Sequence, residues 1–125
     1  MQGLQALGRG MAVSQARELT LWCPSFSAAR GHGHTLAGDA RSGVMHCQAA
    51  IDQAAKAGIV AGDSLRKAWL GRALLSAGRL EIAREVTAAA LGAVSQSLER
   101  GGQAWLLKLL GDIDLQDERE RYSAA

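Results

Sequence analysis

Apolar residues recur every three or four positions along most of this chain, the spacing that gathers them on one face of an α-helix. Over residues 3–18 the pattern predicts a weak helix, interrupted by Gly8 and Gly10. Pro24 suits the first turn of a second helix running to about Ala37, and a third extends from about Ala40 to Ala57. The run "GIVAGD" then breaks the pattern, and Asp63 or Ser64 stands ready to cap a helix reaching about Ala77. Another helix is expected from near Arg79 to Arg100, ended by "RGG". A last one runs from Gln103 to about Gln116, and the charged tail "DERERYSAA" continues as a partial helix. No strand is required, so the expected fold class is all-α.

These helices repeat. "HTLAGDARSG" (34–43) and "LLSAGRLEIA" (74–83) stand 40 residues apart, with a Gly in the same slot. The same shift superimposes Gly31, Gly71 and Gly111, and lays Ala49, Ala50 and Ile51 on Ala89, Ala90 and Leu91. Pro24, Ser64 and Ala104 each open a helix after a loop. A Gly inside a helix costs about 1 kcal/mol relative to Ala. Three at one period therefore imply a shared packing reason, a close approach of two helix backbones. Gly38 and Gly78 mark the turns between antiparallel partners. The chain reads as one domain of helical hairpins, none able to bury its apolar face alone. Its parts are a partial leading repeat (1–23), two repeats (24–63 and 64–103) and a truncated one (104–125).

Composition supports this picture. Nearly half the residues are apolar (48%), but only 4% are aromatic, which favours closely packed helices over sheets. The 14 Lys and Arg against 12 Asp and Glu are interspersed, with no basic run to track nucleic acid. No stretch is long and apolar enough to span a membrane, and "MQGLQALGRGMAVSQ" lacks the apolar core and cleavage site of a secretory signal. Cys23 and Cys47 make no disulfide framework; reduced thiols in the cytoplasm are the expectation.

The repeat carries a resemblance. Leu70, Gly71, Leu74, Gly78, Leu80, Ala83, Ala90 and Leu91 fall on the tetratricopeptide pattern. Gly31, His34, Gly38, Ala40, Gly43, Ala50 and Ile51 match it less well, and the third unit keeps Leu110 and Gly111 but has Glu118 at the second Gly slot. The 40-residue period exceeds the usual length of about 34, meaning longer helices. "SLRKAWLGRALLSAGRLEIAREVTAAAL" followed by "SLERGGQAWLLKLLGDIDLQ" is similar to the tetratricopeptide region of large bacterial signalling ATPases, of the adenylate or guanylate cyclase-like and LuxR-type kinds. The resemblance implies a right-handed superhelix of antiparallel hairpins, an α-solenoid of five to six helices. It also implies a non-enzymatic scaffold or regulatory module that binds another protein in bacterial signalling, or a fragment of a larger regulator of that type. The phosphate loop and cyclase portions of those relatives have no counterpart here, so their ATP chemistry does not carry over.

Candidate chemistry is sparse. His32, His34, His46 and Cys47 are the residues nearest to a metal set, but His32 and His34 lie about 200° apart around a helix. No G-x-S-x-G elbow is present, and "GDIDLQDERE" lacks the central Gly and closing Glu of a calcium loop. No catalytic, cofactor or metal residues are therefore expected. Binding is better motivated. In a tetratricopeptide superhelix the first helix of each hairpin lines a concave groove, so residues one period apart stack in columns. These read Ser25, Leu65, Trp105; Ala28, Ala68, Lys108; His32, Arg72, Asp112; and Thr35, Leu75, Leu115. Arg72 and Lys108 are expected to meet carboxylates, and Trp105 to anchor an apolar side chain of a peptide or partner helix. Trp69 is assigned to the core, and Trp22 to covering a helix end. Leu106, Leu107 and Leu110 on the last helix make a homodimer through that face the second reading.

Overall fold

The computed structural model describes residues 2–16, 22–94 and 100–124, and no strand occurs among them. Six helices follow in order: α1 (Gln2–Ala16), α2 (Cys23–Leu36), α3 (Ala40–Ala57), α4 (Asp63–Ser76), α5 (Leu80–Val94) and α6 (Arg100–Ala124). The all-α expectation holds. The expected reach of the first helix to Glu18, and of the α5 helix through residues 95–99, lies outside the described residues.

The period is visible in the backbone. α2 and α4 start 40 residues apart, as do α3 and α5. Each first helix ends in a Schellman turn, in which a Gly at positive φ lets two amides fold back onto the last free carbonyls. At the first turn Gly38 (φ 90°) donates to Thr35 and Asp39 to His34; at the second Gly78 (φ 79°) donates to Leu75 and Arg79 to Leu74. Asp39 then caps α3 by accepting from the Ser42 amide at 3.1 Å. The buried positions keep the register too. Gly43, Cys47, Ala50 and Ala54 of α3 correspond to Ala83, Thr87, Ala90 and Val94 of α5, each 40 residues on.

Small residues are needed where the hairpins close. A methyl group on Gly31 would lie 2.6 Å from Cys47 Sγ and 3.0 Å from the Gly43 carbonyl oxygen. One on Gly71 would lie 2.6 Å from Thr87 Oγ1 and 2.7 Å from a Leu109 methyl. Gly111 departs from its two counterparts: its face is open, with nothing within 4 Å. The common packing reason therefore holds for two of the three glycines.

α4 lies at the centre, against α2, α3, α5 and α6, and α2 also meets α1 and α3. Leu70 and Leu74 of α4 join Cys47, Ala83, Leu109 and Ile113 in one core cluster, while Ala68 joins Ala90, Val94 and Leu106 in another. Arg66, 3% exposed, closes the α3–α4 connection from inside. Its guanidinium donates to the carbonyls of Ala61 (2.8 Å) and Ile59 (3.2 Å), just past the carbonyl end of α3, where positive charge is favoured.

Four boundaries differ from expectation. α1 runs unbroken through Gly8 and Gly10, because Gly10 gives the Phe26 ring of α2 room to lie close. Gly62, at φ 78°, is the residue before α4, so Asp63 is its first residue and pairs with Lys67 at 2.7 Å instead of capping. Gly101 and Gly102 open α6 instead of ending the helix before it; Gly102 sits against Ser64, where a side chain would collide. Finally, α6 is one helix of 25 residues and has no hairpin turn. Its turn slot holds Glu118, a residue ill suited to the left-handed backbone that Gly38 and Gly78 supply, so the helix continues through the tail. No helix of the described residues is long and apolar enough to cross a membrane.

Candidate functional site

The 40-residue register brings the first helices of successive hairpins side by side, α2 against α4 and α4 against α6. On the face they share, three features lie along the helices. At the N-terminal ends of α2 and α4, Leu7, Trp22, Phe26, Leu65 and Trp69 enclose a cavity of about 330 Å³ whose wall is mostly apolar. Ser25 lies exposed at its edge, and Trp22, 54% exposed, flanks it.

One turn further along, the His32 ring stacks on Trp69 with centroids 5.0 Å apart and an 11° tilt. Trp105 of α6 meets the same imidazole edge-on at 5.7 Å. A side chain of α6 thus reaches one of α2 across α4, and the aromatic cluster fills the middle of the face. His32 Nδ1 and Trp69 Nε1 are buried in it without a hydrogen-bond partner. Burial, with the charge of Arg72 second, holds the His32 imidazole below its usual pKa, so this ring is kept neutral.

Beyond the cluster lies an ionic group. Arg72 Nη2 donates to Asp112 Oδ2 at 2.5 Å, and Lys108 Nζ approaches the same oxygen at 3.2 Å. The Arg72 hydrogen bond, helped by Lys108, holds the Asp112 carboxyl below the usual carboxylate range.

The predicted groove residues therefore divide. Ser25 and Leu65 border the cavity, and His32 and Trp105 form the aromatic cluster. Arg72 and Asp112 do lie in one column, but as partners of each other, so Arg72 and Lys108 are engaged internally instead of awaiting an external carboxylate. Thr35 is buried in the hairpin, where its hydroxyl donates to the Gly31 carbonyl at 3.0 Å. Leu75 packs on the core cluster. Leu106 is wholly buried against α4 and α5 and is unavailable to a partner, whereas Leu107 is exposed and Leu110 half-buried.

Sequence reasoning missed Trp22, Phe26 and Leu7 as cavity walls, and read Trp69 as core alone. The signal lay in Trp69 sitting three residues before Arg72, hence on the same helical face. The other histidines pair elsewhere: His34 and His46 stack face to face across α2 and α3, with centroids 5.1 Å apart. Among the described residues no group of three or more His, Cys, Asp or Glu is arranged to hold a metal ion. Cys23 and Cys47 are buried and not joined in a disulfide, and burial pushes the Cys47 thiol up to about 11.

Comparison of the chain with protein-family models, with curated proteins and with solved structures finds no match.

Proposed function

We propose that this chain is a tetratricopeptide-like array, a right-handed α-solenoid without catalytic activity. In this reading the face shared by α2, α4 and α6 binds a segment of another protein, as a scaffold or regulatory part of bacterial signalling. The 40-residue register of buried positions and the side-by-side first helices support the architecture. The observation that carries the function is the apolar cavity under Trp22, Phe26 and Leu65, open to solvent beside exposed Ser25. A cavity of about 330 Å³ takes one large apolar side chain of a peptide. The aromatic cluster forms the floor next to it.

Selection of a displayed peptide library on the purified protein, with counter-selection on Leu65→Asp, tests this. The expected peptides share one Leu, Phe or Trp, and shift the NMR signals of Leu65 and the Trp22 indole. Failure to enrich any sequence, or peptides that bind Leu65→Asp equally well, would reject the reading.

A further inference from the structure

The second face of α6 carries an independent inference, separate from the groove. Pro24, Ala28 and Gly31 of α2 are buried, as are Ser64, Ala68 and Gly71 of α4. The equivalents on α6, Ala104, Lys108 and Gly111, are all exposed, and Leu115, next in the series, is 48% exposed. In α2 and α4 this strip is where the following helix crosses, α3 at Gly31 and α5 at Gly71. On α6 the strip has the same small residue at its centre, Gly111, with nothing within 4 Å of its face among the described residues.

The complementary face exists on α1. Moving back 40 residues from α3 places Gly3 in the slot of Gly43 and Ala83, the residues that meet Gly31 and Gly71. α1 packs on α2 through Leu4 against Gly33 and Gly10 against Phe26. That contact corresponds to α3 on α4 and to α5 on α6. The other contact of such a helix, the Gly43-type crossing, is unmade: Gly3 has nothing within 4 Å. The molecule thus holds both halves of the crossing it makes twice internally, on two helices that do not pack on each other.

We propose that α1 of a second copy docks antiparallel on the Ala104–Leu115 strip of α6, crossing at Gly111 and Gly3, so that copies add head to tail. Lys108 is the one charged residue of the strip. Asp112, itself held by Arg72, draws its ammonium toward α4 and leaves only the apolar stem on the strip. Unless its rotation closes a ring, a heterologous contact of this kind leaves one α1 and one α6 open in every assembly, so it grows with concentration instead of stopping at a dimer.

Sedimentation or light scattering across a wide concentration range tests this, with circular-dichroism melts as the control for folding. The wild-type mean mass is expected to rise with concentration. Gly111→Leu and Gly3→Leu, both facing open space, are expected to melt no lower than wild type and to stay monomeric. Their equimolar mixture is expected to give dimers and nothing larger, because each variant supplies one intact face. Leu115→Glu, on the same strip, is expected to be monomeric as well. A monomeric wild type at every concentration, or assembly that persists in Gly111→Leu and Leu115→Glu, overturns the proposal. Dimers of Gly3→Leu alone would also overturn it, since they would mean that α6 pairs with α6.

Discussion

Arg72 on α4 and Asp112 on α6, separated by one 40-residue period, are joined by a direct ion pair on the face where the two helices meet. The Arg72 hydrogen bond depresses the Asp112 pKa, so the pair contributes stability that is complete above the unfolded carboxylate value, about 4. That contribution is lost as the pH falls through the lower folded value. Asp112 is about a third exposed, so solvent limits it to under about 1 kcal/mol. Urea unfolding of Asp112→Asn at pH 7 and pH 3 is expected to show a small loss at neutral pH and a shallower decline in acid than wild type.

The glycines separate by their surroundings. Gly31→Ala drives a methyl into Cys47 and the Gly43 carbonyl, and is expected to cost about 1–3 kcal/mol. Gly111→Ala meets open space and gains helix propensity, and is expected to stabilise by up to about 1 kcal/mol. Chemical denaturation of the two variants should move the midpoint in opposite directions. A shared direction would mean that the helix crossing at Gly31 is looser than described.

Arg66 gives a third test. Arg66→Met keeps the length but leaves the Ile59 and Ala61 carbonyls without their charged donor, at an expected cost of about 1–3 kcal/mol. Arg66→Lys is expected to recover less than half, because a single ammonium does not reproduce the guanidinium fork that spans both carbonyls. Equal stability of Arg66→Met and wild type would show that the loop closes without it.

Much of the fold was legible because its period rests on residues with one physical use. Gly38 and Gly78 supply a left-handed turn that few other residues adopt, and Gly31 and Gly71 supply a crossing that no side chain fits. Gly111 looks the same in sequence but has no helix of the described residues against it, and only the arrangement of neighbours reveals that. The expected end of α6 near Gln116, with the tail only a partial helix, falls short of the helix that runs to Ala124, because the charged tail lacks an apolar stripe. What carries the helix through the tail is good helix formers and ion pairs: Arg84 of α5 with Asp114 and Asp117, and Arg121 with Asp117. The columns of the face were legible, but their chemistry was not. Period alone sets Arg72 beside Asp112; only distance decides that they satisfy each other.

His32 offers a fourth test. Burial and Arg72 keep its folded pKa below the ordinary value of about 6.5, so the unfolded chain takes up this proton first as the pH falls. Stability is therefore expected to decline from about pH 6.5 downward until the folded ring protonates. His46 shifts in the same direction, through burial first, then Arg30 and His34. His32→Leu should remove part of the decline and leave the His46 part. Neutral-pH stability is expected to fall by about 0.5–1.5 kcal/mol, because the ring contacts with Trp69 and Trp105 are lost. Thermal melts from pH 7.5 to 5 would check both, and an unchanged slope would count against the stack holding His32 neutral.

The order of the helices also sets how the molecule comes apart. Each helix leans mainly on its neighbours in sequence, and α4 alone leans on four others. Such a chain behaves as a short one-dimensional lattice in which opening starts at a margin and moves inward. Amide hydrogen exchange should therefore be slowest in α4 and fastest in α1, with α6 slowed by the Trp105 and Arg72 contacts that tie it back to α2 and α4. The cluster that fills the middle of the face shared by α2, α4 and α6 would then also act as the rivet that makes two hairpins and a trailing helix unfold as one unit.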